Sequence, residues 1–205
     1  KFTFDGKYYE MLRVTKDGQM LVRRAADHIK GREEYRQVRH YTLDSIRYSQ
    51  EMGDSVQVKG IRINDGYADI TVSTPAYLKM KIYNDFTTGE EVIVNNIPDR
   101  TFVRKRFLKI DLSGAKGASP EIVYTLSLLM NEVFRTLFAE NQAYICALYS
   151  PEIKMPDMYT VRADEEQNGM SIYVIEDSQL DIGLLTAAKR IIDRTFAVIC
   201  DYLEW

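Results

Sequence analysis

Three carboxylates, Glu176, Asp177 and Asp181, lie where a β-branched, aromatic run ("SIYVIE") passes into a helical pattern ("LLTAAKR"). Acids just past a strand are a common setting for metal-dependent hydrolysis, which needs several carboxylates converging on one ion. They are equally the residues that close turns and cap helices. Glu176 and Asp177 are sequence neighbours, and neighbours on a strand point to opposite faces, so only one of them can easily join Asp181. Asp181 stands just before the helical period begins. It is expected to cap that helix, where free N–H groups and the positive dipole end favour a carboxylate. Gly183 behind it would permit close backbone approach. Capping with no metal bound is therefore the expectation. The alternative is a small nuclease-like hydrolase built on Glu176, Asp177 and Asp181, which would need further acids such as Asp164, Glu165 or Glu166 beside Asp181.

A second chemistry is written in "RTFVRKRFLK", where Arg100, Arg104, Lys105, Arg106 and Lys109 are interleaved with Phe102 and Phe107. Cations paired with rings suit a strand of nucleic acid, because charge tracks phosphate and rings stack on bases. Long cations also cover apolar surface or face acids, so a half-exposed structural strand is the competing reading. The charge distribution bears on this. Residues 1–118 carry 16 acids against 21 bases, whereas residues 119–205 carry 14 acids against 6 bases. The basic part could meet a polyanion or the acidic part of its own chain.

Other chemistries find little support. "GAKGAS" has glycines but lacks the Gly-Lys-Ser/Thr ending of a phosphate-binding loop. The two histidines, His28 and His40, both stand in the polar N-terminal region with no recognisable nucleophile context. Cys146 and Cys200 occupy apolar contexts and read as buried free thiols, in keeping with a reducing cytoplasm. Two Cys and two His at these spacings make no zinc pattern. No run approaches the roughly 18 apolar residues of a membrane span.

The elements that must position these groups change character along the chain. The N-terminal part alternates in strand fashion, with hairpin signals at Asp5-Gly6 and Asp17-Gly18. "DHIKGREEYRQ" reads as a loop or a short solvated helix. A further turn is expected at Asn64-Asp65-Gly66, and beyond it the alternation runs through Tyr77, Leu78, Met80 and Ile82 and resumes after "TTGE" through Val92 and Val94. In "TFVRKRFLKIDL", strict alternation puts Phe102, Arg104, Arg106, Leu108, Ile110 and Leu112 on one face and Val103, Lys105, Phe107 and Lys109 on the other, half-buried at best. The small-residue joint "SGAKGASP" follows, and then the period becomes helical, with Ser119 as N-cap and Pro120 at the first position. Leu126, Leu129, Met130, Val133 and Phe134 share one face of this helix and are expected to be buried. Strand-like runs at "AYICALY", "MYTVRA" and "SIYVIE" precede a closing helix from Leu184. The expectation is an α+β protein with an antiparallel β-rich region over 1–113 and, over 119–205, two long amphipathic helices on a sheet, either as two regions or as one continuous domain. Two such helices would also suit a dimer. The start at Lys1, inside a strand-like run, suggests a fragment of a longer protein.

With this order of elements in place, residues of about 55–205 resemble a domain of unknown function. It follows the motor of mitomycin-repair-type DEAD/DEAH-box helicases and also occurs in phage-defence proteins. "DGYADITVSTPAYLKM" matches that family's Val-rich strand, and "NNIPDRTFVRKRFLKIDL" its Pro/Phe segment. "SPEIVYTLSLLMNEVFRTLF" matches its long helix, and "SIYVIEDSQLDIGLL" its Tyr-Asp turn, with Asp177 on the aspartate and Gly183 on the last glycine. The resemblance implies a non-catalytic accessory or interaction domain that needs no cofactor itself. ATP would serve an upstream motor, and the partners would be that motor or another protein, with nucleic acid but no membrane. Three features depart from the family. The four-cysteine zinc set of the helicase relatives is missing, the long helix lacks early histidines, and two turn glycines are replaced. A metal role is therefore not carried over.

Overall fold

The computed structural model describes residues 2–4, 7–15, 19–24, 33–48, 56–58, 60–83, 86–93, 97–139, 141–149, 151–154, 160–162 and 170–204. The chain forms two compact units: residues 1–39 with 73–98, and residues 40–72 with 99–205.

In the first unit β1 (Phe2–Phe4), β2 (Lys7–Val14) and β3 (Met20–Arg24) form an antiparallel meander. The two expected hairpins are present in the register Phe4↔Lys7 and Val14↔Met20, although their turn residues lie outside the described set. Two expectations are corrected here. Glu33 to Gln37 belong to the long strand β4 (Glu33–Tyr48), not to a loop or helix. The strand does not wait until after "TTGE": Thr87 to Glu90 already lie inside β7 (Phe86–Ile93), paired with residues 79–82 of β6 (Ile61–Tyr83).

The second unit holds the candidate site. Its sheet has the hydrogen-bonded order β11 (Thr160–Arg162), β10 (Glu152–Lys154), β4, β6, β8 (Arg100–Asp111), β12 (Ser171–Glu176), β9 (Ile145–Leu148), with β5 (Val56–Val58) paired to the start of β6. β6 runs antiparallel to β5 and β8, β12 to β8 and β9, and β11 to β10, whereas β10 lies parallel to β4. No turn interrupts β6 at Asn64-Asp65-Gly66, which instead pair with Lys109, Leu108 and Phe107. The glycine there serves packing. A Cβ on Gly66 would collide with the Phe107 ring, which lies against the bare backbone.

The strand β8 is central, flanked by β6 and β12, and is buried more deeply than its charged sequence suggests. Its register slips between Ala68 and Ile70 of β6, where Arg104 takes φ +51°. This bulge reverses the alternation. Phe102 therefore packs with Phe107, Leu43, Ile70, Tyr173 and Ile175 on one face, while Leu108, Ile110 and Leu112 join the core on the other.

That second core is roofed by helices. The helix α1 (Pro120–Leu137) begins as its sequence demands, Ser119 Oγ accepting the Ile122 N–H and Pro120 filling a position that needs no donor. Val123, Met130, Val133 and Phe134 are buried, whereas Leu126 and Leu129 are only half-buried at its margin. The closing helix is broken at Ile191 into α2 (Leu184–Arg190) and α3 (Ile192–Leu203). Cys146 is half-buried and Cys200 is exposed, so the second thiol is not the core residue its context suggested. No helix among the described residues is long and apolar enough to cross a membrane.

Candidate nucleic-acid interface

The alternation along β6 places Asp65 on the helix-bearing face beside Ile63. Asp65 is nearly fully buried, and its carboxylate is shared by two cations. Arg106 of β8 donates Nε to Asp65 Oδ1 at 2.7 Å and reinforces the contact through Nη2, while Lys189 of α2 holds Oδ2. The remaining guanidinium nitrogen, Nη1, donates to Thr186 Oγ1 at 2.7 Å. The group ties α2 to the centre of the sheet and leaves one positive charge uncompensated within itself. Arg106 is thus engaged on several sides inside the fold.

The other expected nucleic-acid residues divide between faces and depths. Lys105 is buried. The Lys109 ammonium lies over the Tyr48 ring at 5.4 Å and the Tyr173 ring at 6.0 Å. Asp111, at the end of the strand, is subject to burial, which by itself would raise its pKa. Hydrogen bonds from the Ser113 hydroxyl and N–H, with the charges of Lys109 and Arg62, outweigh this and hold its carboxyl below the usual value. The exposed cations are Arg100 and Arg104, and each is paired with a ring. The Arg100 guanidinium stands 5.7 Å from the Phe102 centroid and that of Arg104 5.9 Å from Tyr67. Arg100 also reaches the buried Asp177 carboxylate at 3.1 Å.

Arg104 opens onto a cleft of about 320 Å³ lined by Ser45, Arg47, Tyr67, Ala68, Asp69 and Arg104. Three neighbouring strands supply it: β4, β6 and β8. Among the described residues, the two non-glycine positions with positive φ, Ser45 at +56° and Arg104 at +51°, both lie in its wall. Local bonds hold each: the Ser45 N–H donates to Asp44 Oδ1 and the Arg104 N–H to Asp69 Oδ1, both at 2.7 Å. Sequence reasoning passed over Arg47. The signal for it was available, since "IRY" repeats on β4 the pairing of cation with aromatic that marks β8.

The acidic turn does not gather. Glu176 faces the helices and Asp177 the opposite side, as strand geometry requires. Glu176 accepts the N–H groups of Ile182 at 2.7 Å and Leu184 at 3.1 Å, and the Ser178 hydroxyl at 2.8 Å. From the end of β12 it therefore receives the first N–H of α2, that of Leu184, together with the Ile182 N–H just ahead of the helix. Asp177 is held by the Tyr41 hydroxyl and Arg100. Asp181 is exposed and accepts the Gly183 N–H, which closes a local turn rather than capping the helix as expected. Gly183 itself has φ +83° and open space around it, so it answers a backbone conformation, not a close approach. Among the described residues no three His, Cys, Asp or Glu side chains are placed to hold a metal. Asp164, Glu165 and Glu166 lie outside the described residues.

No known family profile matches the sequence, and no curated protein does. Among solved structures, the chain is similar to one described as the crystal structure of DUF1998 helicase MrfA bound to DNA, at 11% identity and a TM-score of 0.44. The match takes in 95% of this chain and 24% of that one, so the chain spans about a quarter of the helicase's length.

Proposed function

We propose that this chain is a non-catalytic accessory domain of a larger helicase-like or defence-associated protein, and that it contacts nucleic acid through β8. The first part rests on the family resemblance of residues 55–205. The second rests on one observation: the exposed cations of β8, Arg100 and Arg104, each lie against an aromatic ring. A cation beside a ring brings positive charge to phosphate while the ring presents a flat surface to a base, and Arg100 does so while also bound to Asp177. Any ATP-driven motor would be a separate element, and this domain would position or hold the strand it works on.

The test is fluorescence anisotropy of a labelled single-stranded oligonucleotide against the chain over a range of salt. Binding at low salt is expected to weaken in Arg100→Gln and Arg104→Gln, with the log–log salt slope falling by about 0.7 for each phosphate no longer neutralised. Neutral glutamine is chosen because a glutamate at 100 would repel the buried Asp177. A parent chain that binds no oligonucleotide at low salt removes the nucleic-acid part of the proposal.

A further inference from the structure

The cleft between β4, β6 and β8 has features that strand β8 alone does not explain. Its arginines come from different strands, Arg47 from β4 and Arg104 from β8, and both are exposed. Against these two cations the lining sets a single carboxylate, Asp69, one oxygen of which takes the Arg104 backbone N–H, so the wall retains a net positive charge. Tyr67 forms part of the wall, with Arg104 beside its ring, and Ser45 adds a hydroxyl. The backbone is held in the left-handed region at both Ser45 and Arg104, a conformation disfavoured for residues with a Cβ. Two such residues on separate strands, turned toward one cleft, mark a place where local backbone comfort is given up for side-chain placement. The break at Arg104 is also the bulge that reverses β8, and bulges re-aim side chains beside functional sites.

We infer that Ser45, Arg47, Tyr67 and Arg104 form a preorganised seat for one phosphate of a single nucleic-acid strand, with the adjoining base against Tyr67. This rests on the reading that nucleic acid meets β8, and deepens it by naming the point of contact and a residue, Arg47, outside that strand. The two guanidinium groups supply charge-assisted donors to phosphate oxygens, the Ser45 hydroxyl a further donor, and the Tyr67 ring a sequence-tolerant stacking surface.

The experiment compares the parent chain with Arg47→Glu, Tyr67→Leu, Arg104→Gly and, as a charge control on the exposed surface of α3, Arg194→Glu. The probes are labelled oligothymidine and a duplex of mixed sequence, each titrated over a range of salt. Arg47→Glu is expected to weaken oligothymidine binding by about tenfold or more and to lower the salt slope by about 0.7. Arg194→Glu should produce little of either. Tyr67→Leu should weaken the single strand more than the duplex. Arg104→Gly should bind less tightly yet melt no lower than the parent, because glycine adopts the left-handed conformation freely. If Arg47→Glu behaves like Arg194→Glu while Arg100→Gln still weakens binding, nucleic acid meets β8 but not in this cleft, and the inference falls alone. If the parent binds neither probe at low salt, the inference falls together with the reading beneath it. Preference for the duplex, with Tyr67→Leu silent, overturns the single-strand seat.

Discussion

The carboxylate of Glu176 accepts backbone donors six and eight residues further on, Ile182 and Leu184, although it belongs to the preceding strand. This sets its cost of removal. Glu176→Ala would leave the buried Leu184 N–H without an acceptor, at about 1–3 kcal/mol, and release the part-buried Ile182 N–H as well. Asp181→Ala touches an exposed side chain and is expected to stay within about 0.5 kcal/mol of the parent. Thermal or urea melts of the two variants check this order directly; equal losses would return the capping role to Asp181. That Glu176 and Asp177 diverge was legible from the period of the strand. Which acid would serve the helix was not, because the three-residue lead from Asp181 to Leu184 looks like a cap in sequence, while the loop that brings Glu176 back beneath the helix is a tertiary event. Asp65 misled in the same way. Asn-Asp-Gly carries turn chemistry, but here the aspartate is consumed by Arg106 and Lys189 and the glycine by the Phe107 ring.

At the scale of elements, β9 ends one side of the sheet, and such an edge exposes unpaired backbone groups. Asn131 of α1 covers part of it: its Nδ2 donates to the Ala147 carbonyl at 2.8 Å and its Oδ1 accepts the Ala147 N–H at 2.9 Å. One amide thus pairs both groups of a strand residue and fixes the height of α1 over the sheet. Asn131→Leu is expected to lose about 1–3 kcal/mol despite its better helix propensity, because donor and acceptor on Ala147 are both orphaned. Amide exchange at Ala147 read by NMR should quicken in the variant more than exchange at Val174, one strand further in; unchanged protection would show that the amide is not the lock. The helix itself was legible, from Ser119, Pro120 and the 3.6-residue period, and so was the burial of Met130, Val133 and Phe134. The bulge in β8 was not. Strict alternation assigns every side chain a face, and one extra residue held by the Asp69 carboxylate reverses the assignment for Phe102 without any glycine or proline to announce it.

At the scale of the whole molecule, strands from the basic part of the sequence and helices from its acidic part build one unit, so the two charge totals do not describe two separate bodies. Cross-part ion pairs run in both senses: Arg100 with Asp177 follows the totals, and Lys189 with Asp65 runs against them. The positive charge of β8 is consequently divided. Arg106 stabilises the fold, Lys109 lies over rings, and Arg100 and Arg104 remain at the surface, where Arg47 joins the latter from β4. The α+β class and the run of basic residues could be read from sequence, whereas the division among them follows from strand order, which brings β4 beside β6 and β6 beside β8. The most direct measurement is photo-cross-linking of a single-stranded oligonucleotide carrying a photoreactive thymine analogue, followed by mass mapping of the adducts. Adducts are expected on Tyr67 or its neighbours on β6 and β8, and they should disappear in Arg47→Glu. Adducts confined to other parts of the chain, or unchanged by that substitution, would contradict a nucleic-acid seat between β4, β6 and β8.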